Sequence, residues 1–160
     1  MDAGRLEQVA TPRELYEAPA SRWVAEFVGD VNLFDGQVES HEAHRLTVAT
    51  RDAGSLVVAE PRQPLGKAIV SVAIRPEKVK LSRRGPAADG TGAQAINRLE
   101  GVIADTTYLG GLTVYKVQLD GGTVVRAAMA NTARLDMDAY RAGQRVTAWF
   151  TPDDCVVLEQ

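Results

Sequence analysis

The sequence predicts a mainly β protein with a short helical segment at its N-terminus. Three observations carry this. Between residues 31 and 160 the apolar residues alternate in short runs broken by Gly-, Asp- and Pro-containing turns. Residues 1–30 instead hold a helix start, a helix stop and a second helix pattern. The 160 residues, 45% apolar and 24% charged, can bury the core of one domain or two small ones. Many short strands with Gly-rich turns imply a small barrel or a sandwich.

The elements follow in order. Residues 5–9, Arg-Leu-Glu-Gln-Val, alternate enough for a short strand. Thr11 and Glu14 form a capping box, and Pro12 falls where a helix needs no N–H. Pro19 disfavours helix at Ala18, so this helix is short. Ser21 caps a second helix that ends near Gly29. Trp23, Val24, Phe27 and Val28 share one face of it, and nothing upstream supplies a partner surface.

From residue 31 the period is that of strands. Phe34–Val38 starts the first, and Leu46–Thr50 and Leu56–Ala59 flank a hairpin connection at residues 51–54. Ala68–Ile74 is a continuous apolar strand stopped by Pro76, and a short strand holds Val79 and Leu81. Residues 82–95 are Gly- and Ala-rich without periodicity and read as a flexible loop between two halves. Leu99–Thr106, Leu112–Leu119 and Thr123–Ala128 are strands joined by Leu109-Gly-Gly111 and Asp120-Gly-Gly122. Gln144–Phe150 and Cys155–Leu158 read as a closing pair around Thr151-Pro-Asp-Asp154. The halves share a rhythm, but no defensible sequence repeat.

Several functions are disfavoured. No apolar run approaches the roughly 18 residues of a membrane span, and no basic segment followed by an apolar stretch marks a secretion signal. The single cysteine forms no internal disulfide, which fits a reducing compartment. Residues 1–30 carry six acids and three bases, and residues 31–160 carry fifteen of each. A neutral β region with 6% aromatics argues against nucleic acid as a partner. Gly66-Lys67 is no phosphate loop, because Pro61 and Ala68 stand where a glycine and a hydroxyl are needed. His41 and His44 are spaced three apart in a polar loop, with no third histidine for zinc. Cys155 opens an apolar strand and reads as structural, and Asp153 and Asp154 form a turn.

Two places remain as candidate sites. Residues 105–111, Asp-Thr-Thr-Tyr-Leu-Gly-Gly, offer hydroxyls, a ring and free N–H groups, with Thr107, Tyr108 and Gly110 the residues to shape a small-solute contact. The competing reading is a glycine-rich turn. Arg75 and Glu77 end the most apolar strand, as an exposed ion pair or as an interface anchor.

Residues 1–19 followed by Phe27-Val-Gly29 closely resemble the exit from the nucleotide-binding domain of ABC importer ATPases. Ile74-Arg-Pro-Glu77 resembles that family's mid-domain motif. Tyr108-Leu-Gly110 with Tyr115-Lys-Val117, and Gly143-Gln-Arg-Val146 with Trp149 and Pro152, resemble its C-terminal TOBE (transport-associated OB) segment. The resemblance covers essentially the whole chain, and the segment at residues 27–34 is similar to the polyamine, iron or thiamine branch. The phosphate loop, magnesium-binding strand, signature and switch histidine of a complete ATPase are absent from the sequence, and Leu109-Gly-Gly-Leu-Thr113 only faintly echoes the signature.

The resemblance implies two OB-like β-barrel halves. It implies that residues 1–30 are the tail of an ATPase domain, and that residues 31–160 are a regulatory domain without catalysis of its own. ATP and magnesium belong to the full-length subunit, with no cofactor or metal in this stretch. Implied partners are its own ATPase domain, met by Trp23 and Phe27, a second copy through the regulatory domain, membrane permease subunits indirectly, and a small solute. The implied place is the cytoplasm, peripheral on the inner membrane face. Met1 is then an internal methionine. The alternative is a free-standing OB-type binder of a small oxyanion or polyamine.

Overall fold

The computed structural model describes residues 6–42, 44–61, 65–85, 96–131 and 140–159. Helix α1 (Pro12–Glu17) begins at the capping box: Thr11 Oγ1 accepts from the Glu14 N–H at 3.3 Å, and the Glu14 carboxylate accepts from the Thr11 N–H at 2.9 Å. Helix α2 (Arg22–Val28) is capped by Ser21, whose hydroxyl accepts from the Val24 N–H at 3.2 Å. Residues 6–9 are not a strand, contrary to the alternation of the sequence. A strand needs a ladder partner, and here Gln8 instead bonds the Ala18 carbonyl and the Ala20 N–H across the bend between the helices.

Ten strands follow: β1 (Asn32–Glu42), β2 (Arg45–Thr50), β3 (Gly54–Ala59), β4 (Ile69–Ile74), β5 (Lys80–Ser82), β6 (Asn97–Tyr108), β7 (Leu112–Leu119), β8 (Val124–Ala130), β9 (Arg145–Phe150) and β10 (Cys155–Glu159). They form two antiparallel sheets, ordered β10-β4-β1-β2-β3 and β5-β9-β6-β7-β8. In the first, β3 comes beside β10; in the second, β8 comes beside β5, so each sheet curls into a small barrel. Buried residues of both sheets, among them Phe34, Ile74, Ile103 and Phe150, form one connected core. Each such side chain contributes about 1.5–3 kcal/mol of burial.

Two expectations are corrected by this order. Residues 144–150 and 155–158 are not a closing pair: β9 lies in the second sheet and β10 in the first. Pro76 and Pro152 each open a one-turn 3-10 helix, Pro76–Lys78 and Pro152–Asp154, that carries the chain from one sheet to the other. A proline lacks the N–H a ladder needs, so both strands must end there. The short strand at Val79 and Leu81 likewise belongs with the second barrel. Most of the expected loop at 82–95 lies outside the described residues. His41 lies in β1 rather than in a loop, and the turn falls at His44 with a φ of 65°.

The two barrels are copies of one plan that the sequence conceals. Gly36 faces Thr50 as Gly101 faces Leu119, and each ladder shifts register soon after, between Val38 and Ser40 and between Ile103 and Asp105. Asn32 and Asn97 open the two long strands and face Ile74 and Phe150. Both are buried, and each side chain serves as a missing strand residue for the other barrel's edge. Asn32 bonds the N–H and the carbonyl of Arg126, both at 2.8 Å. Asn97 bonds the N–H and the carbonyl of Val57, at 2.8 and 2.7 Å. The β2–β3 and β7–β8 turns meet each other. A Cβ on Gly121 would lie 1.9 Å from the Asp52 carbonyl oxygen, and Thr123 donates to the Asp52 carboxylate at 3.0 Å.

Candidate functional site

The helices meet the first barrel at Arg75, which is 6% exposed. Its guanidinium donates to the carbonyls of Tyr16, Ala25, Gly29 and Asp30 at 2.9–3.4 Å. Ala25 and Gly29 belong to the end of α2, where carbonyls have no intrahelical partner and a cation is favoured. The guanidinium also lies 4.2 Å from the centroid of the Tyr16 ring. Arg75 is thus turned inward, tying α1 and α2 to the end of β4.

Glu77, two residues on, is exposed and accepts a 2.6 Å hydrogen bond from the Tyr16 hydroxyl. Burial, and then Glu77 as acceptor, push the Tyr16 phenol up to about 12. Lys78 approaches Glu17 at 3.9 Å. A crevice of about 20 Å³ lies among these groups, room for one water and not for a solute.

The downstream barrel supplies the surface α2 lacks. Val24 and Ala25 are buried, and Ala25 packs with Ala73 and Leu158 of β4 and β10. Arg22 reaches the Asp35 carboxylate at 2.7 Å. The other half of the expected apolar face stays outside. Phe27 is 75% exposed and stacks on Trp23 with ring centroids 5.0 Å apart, and Leu6 and Val9 are also exposed.

Thr107, Tyr108 and Gly110 lie at the end of β6 and in its turn to β7. Tyr108 is 72% exposed, and Gly110 has a φ of 76°. Asn131, which the sequence reading missed, ties the turn down: its amide donates to the Gly110 carbonyl at 2.8 Å and its carbonyl oxygen accepts from Thr113 at 2.7 Å. Asp105 beside the turn is paired with Lys116 at 3.1 Å, which lowers the pKa of its carboxyl. Among the described residues no hydrogen bond joins this turn to Arg75 or Glu77.

The remaining reactive types have local roles. Glu60 lies between His44 Nδ1 at 2.7 Å and His41 Nε2 at 3.3 Å, and the His44 hydrogen bond lowers its pKa. No group of three metal-ligating side chains occurs among the described residues. Burial raises the pKa of the Cys155 thiol far above neutrality, so it carries no thiolate. Asp154 caps its own turn through Thr151. Among the described residues no helix is long and apolar enough to cross a membrane.

The profile of the TOBE domain matches residues 72–158, from β4 through both crossovers to β10. The chain belongs to the TOBE domain family. It is 34% identical to the spermidine/putrescine import ATP-binding protein PotA of Trichormus variabilis, covering 100% of this chain and 40% of that protein. With the putrescine transport ATP-binding protein PotG of Escherichia coli it shares 33% identity over 99% of this chain and 41% of that protein. This TOBE chain spans about two fifths of the length of those relatives and matches their C-terminal part. Its fold is that of the cytoplasmic molybdate-binding protein ModG, solved with molybdate bound, at a TM-score of 0.64 and 16% identity over 81% of this chain and 96% of that one. Two OB-like barrels with a short helical lead are therefore the architecture of this TOBE protein.

Proposed function

We propose that the chain is the regulatory and dimerisation region of an ABC transporter ATP-binding subunit for solute import, polyamine-type, with no catalysis of its own. One observation carries the reading. The helical hook is fixed to the first barrel by Arg75 yet presents Phe27, Leu6 and Val9 outward, with the half-buried Trp23 stacked on Phe27, as a segment docked on another domain does. The match to the C-terminal part of PotA and PotG supports an ATP-binding domain as that partner. A rigid hook passes the position of that domain to the barrels. A pairing of barrels through a second copy then raises the effective concentration of the two ATPase halves. A solute held near Thr107, Tyr108 and Gly110 and favouring one pairing would shift the open–closed equilibrium. ATP and magnesium act in the partner domain, and permease subunits hold the assembly at the inner face of the membrane.

Recovery of the protein from its source cells with an antibody against the barrels tests this. The expected product contains an ATP-binding domain, joined to this chain or tightly bound, and permease subunits. Recovery of the chain with neither would overturn the reading. It would favour instead a small-ligand binder, which the extent of the ModG likeness supports. That binder would be stabilised by an oxyanion or a polyamine on its own.

A further inference from the structure

Paired residues on neighbouring strands point to the same side of a sheet, so the outer faces of the two barrels compare row by row. On the first barrel one row is Val156–Ala73–Leu33 and the next is Leu158–Ser71–Asp35. Helix α2 lies here: Ala25 packs on Ala73 and Leu158, and Arg22 reaches Asp35 and Ser71. The corresponding rows of the second barrel are Lys80–Trp149–Arg98 and Ser82–Thr147–Glu100. The polar pair is repeated. Ser71 donates to Asp35 at 2.7 Å, and Thr147 donates to Glu100 at 2.8 Å.

The apolar row is not repeated. On the second barrel two cations flank an indole, and the Lys80 ammonium lies 4.6 Å from the centroid of the Trp149 ring. Neither Lys80 nor Arg98 forms an ion pair among the described residues, whereas Arg22, Lys116, Arg126 and Arg145 all do. Among the described residues Ser82 Oγ and Trp149 Nε1, on the same rows, have no hydrogen-bond partner, but the chain itself already screens both from water. The groups a partner would meet here are the exposed Lys80 and Arg98 and the half-buried Trp149 ring between them.

We infer that this face of the second barrel seats an acidic amphipathic helix from a partner protein. The first barrel shows that the same surface of the plan takes a helix, and charge decides what kind the second takes. Ala73 lets α2 lie directly on the sheet. Trp149 in the equivalent place raises the floor, and Lys80 and Arg98 have stems long enough to reach carboxylates on both flanks of a helix resting on the ring. Tryptophan and arginine are also the side chains that most often anchor interfaces. The inference does not rest on a transport role.

The test uses the 160-residue chain and a synthetic helix-forming peptide with glutamates on both flanks of a leucine stripe, beside a twin with glutamine for every glutamate. The ¹⁵N–¹H signal of the Trp149 indole reports the face, and that of Trp23 is the internal control. The acidic peptide is expected to shift Trp149 and not Trp23, with binding that weakens as salt rises. Lys80→Glu with Arg98→Glu should weaken binding about tenfold or more, and Lys80→Gln with Arg98→Gln by less. Both pairs point outward, and circular dichroism checks that the fold is kept. An unmoved Trp149 signal, or equal binding of the glutamine twin, would overturn the inference. So would a Trp149 shift produced only by single-stranded RNA or by phosphatidylglycerol vesicles. A dimer abolished by the charge reversal would assign the face to a second copy instead.

Discussion

The two barrels share strand order, register shifts, crossover prolines and even the asparagines that clasp each other's edge, yet only one of them carries a helix. The difference lies in a few outward side chains. Ala73, Leu33 and Val156 make a flat apolar seat, and Trp149, Arg98 and Lys80 do not. The crossovers diverge in the same way. Arg75 leads into one and spends its donors on the carbonyls of the hook; Thr151 leads into the other and only caps its own turn. A duplicated plan fixes the cores and the interlock, and the outward residues assign each copy a different neighbour.

The equivalence breaks most readily at the glycines. A Cβ at Gly36 would lie 2.4 Å from the Ala49 carbonyl oxygen, and one at Gly101 would lie 2.5 Å from that of Gln118. Backbone cannot move aside as a side chain tip does, so Gly36→Ala and Gly101→Ala should each destabilise by about 3 kcal/mol or more in urea unfolding. A large loss at one and none at the other would contradict the shared plan.

Arg75→Ala sharpens the divergence. Losing a buried charged donor leaves several carbonyls unmet, a cost of about 3 kcal/mol. Amide exchange should accelerate across residues 12–28 while both barrels stay protected. Thr151→Ala, at the matching place, should cost about 1 kcal/mol and leave the hook unchanged.

Asn32→Ala and Asn97→Ala each leave one part-buried N–H and one carbonyl on the opposite barrel without a partner. About 2 kcal/mol is expected for either. Unequal losses would show that one barrel edge depends less on its clasp.

The smallest effect is alkaline. Tyr16 keeps its proton to about pH 12 in the folded chain, against 10.0 for a free phenol. Its contribution is therefore complete below pH 10 and is lost as pH rises toward 12. Tyr16→Phe should remove this share of the alkaline decline in stability.

Much of this was legible in the sequence. The capping box at Thr11, the helix stop before Pro19 and the hairpin turns at 51–54 and 120–122 rest on local chemistry, and local chemistry decides them. The strand exchange was not legible. Phe150 and Cys155 stand close in sequence, and only the sheet-to-sheet crossing at Pro152 separates them. The repeat was hidden because its matching outer positions carry different residues, such as Ala73 and Trp149. Asn32 and Asn97 gave one signal, an Asn at the head of each long strand, but its meaning depends on a strand in the other barrel. For the site, the sequence singled out Arg75 and Glu77 without their partner Tyr16, because sixty residues of chain lie between them. Trp23 and Phe27 were read as part of one apolar stripe. The fold divides that stripe, burying Val24 and leaving Phe27 outside with the half-buried Trp23 stacked on it.

The central claim is that the ring pair meets another domain in the native protein. Hydroxyl-radical footprinting of side chains tests it directly, on the isolated chain and on the protein in fresh extract of its source cells. The account predicts that Phe27 and Trp23 are oxidised readily in the isolated chain and shielded in the extract. Equal oxidation of Phe27 in both would contradict it.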